Sequence, residues 1–373
     1  MRLLLSPGRL SGALSAAQVA AAVRRGWLQT APGTEVRALP MSDGAAGLLD
    51  AVHTARGGQL VSVTARGPLG EPVPATLLHI PGAGGGTAYV EAGQVLGRQL
   101  VAPGQELRHA EQGSSAGLGE VLLAARELGA GRVVVGLGEA ATHDGGAGLV
   151  RALAGADTGH DIDADVLAAA HGVLDGAEVI VAAATQVPLL GLHGAGALLS
   201  DRLGPAEAQR LDTRAGELAA HLDRLGRALP ARTALLPAPG GHGAAARPGR
   251  ADGSGAGGGV AHALTVLGGR LLHGPDVVAA AIGLPEAVGS ADVVLTATAL
   301  LDAPAVDASV VATVGRAAME LGLPVVVLAE EVHTSRREVA RAGISATYAT
   351  GTTGVEGLEA WAVRLARTWA LEA

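Results

Sequence analysis

The sequence predicts an α/β protein in which parallel β-α-β-α units at both chain ends enclose a segment of more antiparallel sheet. Three observations carry this. Short apolar runs alternate with helix-spaced segments near the amino terminus, and the same alternation returns from Asp292 onward. Between them, residues 59–91 read as a meander of alternating strands broken by a Gly-Pro turn.

Taken in order, Leu3-Leu4-Leu5 reads as a short buried strand. Ser15 is the expected N-cap of the next helix, whose Val19, Val23 and Trp27 share one face at four-residue spacing. Pro32-Gly33 closes that unit, 35–39 forms a second strand, and Met41-Ser42-Asp43-Gly44 leads into a helix through Leu48, Leu49 and Val52. Leu60, Val61 and Val63 alternate, Gly67-Pro68-Leu69-Gly70 turns the chain, 73–80 returns and 87–91 adds a third strand. Gly117-Leu118-Gly119-Glu120 opens a helix with Val121, Leu122, Ala125 and Leu128 as its apolar positions. Residues 179–183 read as a strand, and 205–229 as a long helix with Leu211, Leu218, Leu222 and Leu225 inward. The stretch 237–259, rich in Gly, Ala and Pro, is expected as a mobile loop. From there 293–295 is a strand, 306–321 a helix, 324–328 a strand, 335–341 a helix and 346–349 a strand. A terminal helix holds Leu358, Trp361, Leu365 and Trp369. The expected domains are 1–58 together with 285–373, and 59–284.

Composition narrows the classes. The 373 residues are 49% hydrophobic, enough for a full core, yet no apolar run reaches the roughly 18 residues of a membrane span. The start, MRLLLSPGRLSG, is broken by Ser6, Pro7 and Gly8 and does not read as a signal peptide, so the expectation is a soluble cytoplasmic protein. A net charge of -8 argues against a nucleic-acid partner. There is no Cys, which removes disulfides and thiol chemistry. There is also no Lys, and all 27 basic residues are Arg, a bias of the kind G+C-rich codons produce. Such a bias exchanges Lys for Arg but gives no reason to lose Asp or Glu.

The most informative stretch is 136–148, GLGEAATHDGGAG. It follows Arg132-Val133-Val134-Val135, a buried strand by pattern, and precedes a helix. Glycines 136, 138, 145, 146 and 148 allow tight turns, with Thr142 and Asp144 as the polar groups between them. A strand, a glycine turn and a helix start can offer backbone N–H groups to an anion, and a carboxylate to a metal or hydroxyl. An ordinary turn with Asp144 as helix cap fits equally well. No Lys follows the glycines, so this is not a Walker A loop.

Here the segments take on a known order. The chain resembles the bacterial glycerate kinases nearly end to end, above all over 133–155, which matches the family's I-I-G-L-G-G-S-A-T-N-D-G-G-A-G-M-L-x-A-L-G. Pro40-Met41-Ser42-Asp43-Gly44, Gly67-Pro68-Leu69-Gly70, Pro188-Leu189, 255–264 and Ala291-Asp292-Val293-Val294 carry the rest. The resemblance implies a flavodoxin-like parallel-sheet domain, a second mixed α/β domain and an active-site cleft between them. It implies transfer of the ATP γ-phosphoryl group to D-glycerate, with Mg2+ and ATP as cofactors.

Carried over residue by residue, the resemblance assigns Asp43 and Asp144 to catalysis, with Asp144 also the metal ligand. Gly44, Glu91, Gly117, Gly119, Glu120, Gly136, Gly138, Thr142, Gly145, Gly146 and Asp302 line up as substrate- or ATP-binding positions. Other charged positions are emptied. The family's A-P-D-S-F-K-G becomes Ser6-Pro7-Gly8-Arg9-Leu10-Ser11-Gly12, so both Asp and Lys are gone. Further acids of the family stand here as Ala46, Ala184 and Thr298, and no cation falls near Ala308-Ser309. In the central loop Glu139 replaces Gly and His143 replaces Asn. Arg9 and His143 read either as replacement charge, with Arg9 a candidate phosphate clamp, or as ordinary surface residues. Asp43, Asp144 and Glu120 read equally as helix-start carboxylates. Three functions stay open: an active glycerate kinase, a catalytically degenerate paralogue acting in binding or regulation, and a kinase for another small anion. Homo-oligomerisation or pairing with an active paralogue would suit the second.

Overall fold

The computed structural model describes residues 1–10, 14–230, 248–352 and 354–370. Ser11 and residues 237–247 of the Gly-, Ala- and Pro-rich stretch lie outside the described residues. In chain order the strands are β1 (Arg2–Leu5), β2 (Glu35–Ala38), β3 (Gln59–Arg66), β4 (Pro72–Ile80), β5 (Thr87–Glu91) and β6 (Arg132–Leu137). They continue as β7 (Glu178–Ala183), β8 (Arg270–His273), β9 (Val293–Leu301), β10 (Val325–Val332) and β11 (Ala346–Ala349). The chain divides into two compact units. The first is Met1–Asp43, Asp50–Gly57 and Pro275–Ala373; the second is Gly44–Leu49 and Gly58–Gly274.

The first unit carries a five-stranded sheet of order β11-β10-β9-β1-β2, parallel throughout. Numbered within the unit and read from the β2 edge, that is 2-1-3-4-5, the flavodoxin-like order. Its inner strands are continuous apolar runs because helices cover both faces of such a sheet. On one face the helix Ala16–Thr30 packs Val19, Val23 and Trp27 beside Leu358, Ala362 and Leu365 of the helix Val355–Trp369. Ser15 and Gln18 form a reciprocal capping box at the start of the first of these helices. Trp27 is fully buried and donates to Thr34 Oγ1 at 3.2 Å. Trp361 and Trp369 lie against the same core, Trp369 donating to the Tyr348 hydroxyl at 3.1 Å.

One expectation fails here. The single helix predicted over 306–321 is two, Ala303–Asp307 and Val310–Met319. Asp302 Oδ1 accepts from Ala305 N at 2.9 Å and starts the first. Ser309 Oγ accepts from Val311 N at 3.1 Å and donates to Ala305 O, so one hydroxyl closes the first helix and opens the second.

The second unit holds a six-stranded sheet of order β3-β4-β5-β6-β7-β8. The meander β3-β4-β5 is antiparallel, and β5 through β8 are parallel. Val133 and Val135 of β6 are buried with Leu118, Leu122, Leu149 and Val181 in the core. Tyr89 is the only aromatic residue in the sequence from 58 to 274. Where the stretch 248–259 was expected as loop, the chain instead makes two short 3-10 turns, Pro248–Arg250 and Ala256–Gly259. The second turn is fixed by backbone hydrogen bonds, Gly257 N to Gly138 O at 2.9 Å and Gly145 N to Gly258 O at 3.0 Å. Among the described residues no helix is long and apolar enough to cross a membrane.

Candidate functional site

In an open parallel sheet, ligands bind where the carboxyl ends of the strands meet a change in strand order. In the first unit that point lies between β1 and β9. The chain beyond β1 runs along β9: Ser6 N donates to Leu295 O at 2.8 Å and Gly8 N to Ala297 O at 2.9 Å. Ser6 is buried, its hydroxyl donating to Leu39 O at 3.0 Å. Gly8, where the resemblance expects an acid, is closely packed against backbone. A Cβ there would stand 3.1 Å from Ala297 O and 3.6 Å from Val310. Arg9 beside it is exposed. Thr298, another emptied acid, turns its hydroxyl to Leu300 O at 3.1 Å. The neighbouring Thr296 is buried with no partner on its hydroxyl. Asp302 is the helix cap described above. Asp43 is exposed, and the helix Leu48–Arg56 starts five residues beyond it, not directly after it as expected.

In the second unit the carboxyl ends of β5, β6, β7 and β8 are overlaid by the short segment Gly44–Leu49. Gly136, opposite Glu91 in the ladder, lies so close to Gly44 O that a side chain would collide with it and with Leu48 Cδ2 at 2.8 Å. Gly44 in turn lies over Gly274 and the Ala182 carbonyl, and Gly138 lies under Ala45. Glu91 Oε1 accepts from Leu49 N at 2.9 Å, a carboxylate at the start of the helix Leu48–Arg56. Three positions of this family motif (Gly44, Glu91 and Gly136) are thus brought together.

Asp144 is the hub of the next loop. Its Oδ2 accepts from Ser115 N (2.8 Å), Ser115 Oγ (2.8 Å) and Gly148 N (3.0 Å), and its Oδ1 from Gly146 N (3.0 Å). Ser115 Oγ accepts from Leu149 N at 2.9 Å and completes the latch. The helix Ala147–Ala154 is therefore capped by an acid two residues before its Gly146 N-cap. The backbone N–H groups that a free anion would use are taken by the chain's own carboxylate. This bears on the implied Mg2+. Oδ2 is saturated by N–H and O–H donors, leaving at most one lone pair on Oδ1, and among the described residues no three His, Asp or Glu gather as metal ligands. A resident metal does not fit this donor set, and magnesium enters below only with the nucleotide.

The remaining predicted residues serve packing as placed. Gly117 and Gly119 allow the helix Ala116–Glu127 to approach the Arg66 backbone and the Leu149 carbonyl. Glu120 accepts from Arg66 N at 2.7 Å and pairs with the Arg66 guanidinium, which ties that helix to β3. Gly145 lies against Leu218, and Gly146 against Ala263. The Gly145 segment also meets Gly258, where only a residue free to take φ +66 and carry no Cβ fits against the Thr142 carbonyl.

Two features escaped the sequence. His143 is no surface residue: it is 4% exposed, and its Nε2 has no partner. Burial first, then the charge of Arg214, holds its pKa down to about 4 against a raising pull from Asp144. Thr142 beside it is 2% exposed, with its hydroxyl likewise unpartnered. The second feature is a set of arginines from three distant segments. Arg98 pairs with Glu139 at 2.6 Å, Arg214 donates to His143 O at 3.2 Å, and Arg202 has Arg98, Glu139 and Glu106 as charged neighbours. Proximity of this kind is set by tertiary packing and leaves no local pattern.

Two sheets whose parallel strands end in glycine-rich, polar loops define the class, a two-unit α/β protein with ligand-type strand ends. The chain belongs to the glycerate kinase family, whose model matches residues 3–367. An uncharacterized Mycobacterium tuberculosis protein is 32% identical over 93% of this chain and 83% of its own length. The glycerate kinase of Bacillus subtilis is 30% identical over 93% of this chain and 90% of its own. The glycerate 2-kinase of Escherichia coli is 28% identical over the same shares, 93% and 90%. A Salmonella typhimurium crystal structure provisionally called glycerate kinase 2 superposes with a TM-score of 0.77 at 27% identity, covering 99% of this chain and 98% of that one.

Proposed function

We propose that this protein carries the family's reaction, transfer of the γ-phosphoryl group of Mg-ATP to D-glycerate, at a turnover far below that of a motif-complete relative. The family match over residues 3–367 supports the reaction class. The reduced rate rests on one observation above all: Asp144, the surviving acid of the central loop, spends its oxygens on four donors of the protein itself. Phosphoryl transfer depends on positioned cations and metal-held carboxylates, and losing one such group costs roughly 10²–10³ in rate. Gly8, Ser11, Ala46, Ala184 and Thr298 stand where the family carries charge. Asp43 and Glu91 are the other acids that the resemblance carries over, and Arg9 is the candidate cation of the first unit.

A coupled assay of ADP release with D-glycerate and Mg-ATP tests this. Turnover should lie well under the usual kinase range of about 1–100 s⁻¹. The combined replacement Gly8→Asp, Ser11→Lys, Ala46→Glu, Ala184→Asp should raise it. Wild-type turnover inside that range, abolished by Arg9→Ala, would show a rebuilt active kinase. A second reading, a paralogue that binds without turnover, is favoured by the same occupied Asp144. It gains if both the wild type and the restored variant release no ADP.

A further inference from the structure

We propose that β3 is the interface of a symmetric dimer, its open edge pairing antiparallel with the β3 of a second copy of this chain in the register that sets Ser62 opposite Ser62. The proposal goes beyond the kinase reading and does not depend on it.

Each sheet has two edges, and three of the four are short. β2, β8 and β11 have four residues each, and Glu35, Arg37 and Arg270 put charge on the first two. The fourth edge, β3, has eight residues, QLVSVTAR, with no proline and no charge before the last. Its pairing with β4 runs unbroken from Gln59 to Arg66, so no bulge twists the edge away. Gln59, Leu60, Ser62 and Thr64 are exposed, Leu60 at 50%. A long, neutral, exposed edge is a template for another strand.

Three observations fix which backbone groups face outward. In an antiparallel pair, residues opposite each other either exchange both backbone hydrogen bonds or direct both groups away. Thr64 and Arg66 stand opposite Pro74 and Pro72, which have no N–H to exchange. Thr76, opposite Ser62, gives its N–H and its carbonyl to the Gln94 side chain at 2.8 Å each. Arg66 N donates to Glu120 Oε2 at 2.7 Å and not to β4. The backbone N–H and C=O of Leu60, Ser62 and Thr64 therefore point away from β4, and among the described residues no group beyond the edge takes them.

A twofold axis at Ser62 uses all three residues. Ser62 exchanges both bonds with Ser62 of the second copy, and Leu60 and Thr64 exchange theirs on either side of the axis. The next position outward is Arg66, whose N–H Glu120 already holds, so the ladder stops where the edge is capped. An axis at Val63 would instead set Leu60 against Arg66 and lose that bond. With the axis at Ser62, Val61 meets Val63 of the second copy in the close pairing without hydrogen bonds, where apolar side chains gain most. Val63 lines a groove of about 460 Å³ beside the helix Ala116–Glu127, together with Leu123 and Ala124. The second copy's Val61 is the apolar side chain brought to that groove. A second copy is thus the occupant that β3 itself describes, a neutral strand with valines on the groove side and its own cap at Arg66.

Sedimentation equilibrium of the full-length protein should show a dimer whose share grows with concentration. Ser62→Pro removes only an outward N–H, which an edge strand tolerates, so it should keep the wild-type circular dichroism. It should weaken association about thirtyfold or more, the loss of two net hydrogen bonds across the axis. Ser62→Lys and Ser62→Asp should each remain single chains, because like charges then face each other across the axis, and mixing the two should restore a dimer. That rescue reads the register and stands even if the proline variant does not fold. Leu321→Lys, the same charge at an exposed leucine of the first unit, should change nothing. A wild type that remains a single chain up to about 10⁻⁴ M overturns the proposal and leaves the edge to a strand of another protein. So does a dimer that the Ser62 variants leave intact, or a pair of charge variants that separate but do not recombine.

Discussion

The carboxyl ends of the parallel strands in the two sheets have met the loss of charge in different ways. In the first unit two acidic positions are gone: Gly8 and Thr298 stand where acids would, and Asp302 is occupied in starting a short helix. The second unit has lost acids too, at Ala46 and Ala184, but keeps Asp144, whose oxygens hold Ser115, Gly146 and Gly148 in place. Both edges have lost acids, and the second has turned the one it keeps inward. A residue that matches a catalytic motif can thus persist because the fold needs it. Matching the motif is weak evidence of chemistry unless an oxygen is left over for a ligand.

The sharpest way to break this comparison is Asp144→Ala. Removing four charge-assisted hydrogen bonds should cost about 3 kcal/mol or more in urea unfolding followed by circular dichroism. A loss under about 0.5 kcal/mol would place Asp144 among ordinary surface residues and free it for a ligand. Next comes a pair of glycines. Gly136→Ala meets backbone and the Leu48 side chain and should cost about 2 kcal/mol, whereas Gly8→Ala meets only contacts of 3.1 Å and longer and should cost less than about 1 kcal/mol. Equal costs would remove the claim that the backbone is packed less tightly at Gly8 than at Gly136.

A further test is in acid. His143 has its folded pKa lowered to about 4, below its unfolded value, so its contribution is complete above pH 6.5 and is lost as pH falls toward 4. Stability should decline by about 1.4 kcal/mol per pH unit from this group across that window, and His143→Gln should flatten the slope there. An unchanged slope would mean that the imidazole is not held neutral.

Much of the fold was legible because it is written in local patterns. Leu3-Leu4-Leu5, the Ser15–Gln18 cap and the alternation of Leu60, Val61 and Val63 each encode their element within a few residues. The break at Ala308-Ser309 was not, because Val306 and Val310 keep helical spacing across it and the decision lies with one serine hydroxyl. For the site, the glycine loop and the capping alternative for Asp144 could be read. The burial of His143 could not: a histidine among glycines looks solvated until the helix Pro205–Gly226 brings Arg214 over its backbone.

The distribution of aromatic residues has a practical consequence. Trp27, Trp361 and Trp369 all belong to the first unit, and the second has Tyr89 alone. Intrinsic tryptophan fluorescence is therefore a reporter of one unit only. Its emission follows the melting of the Trp27 core and is insensitive to local unfolding around Asp144. Backbone ellipticity, by contrast, weighs both units. If the two signals trace the same denaturation curve, the units unfold together. If Asp144→Ala shifts the ellipticity while the emission midpoint stays fixed, they are thermodynamically separate, and the missing chromophore of the second unit is what allows the distinction to be seen without a label.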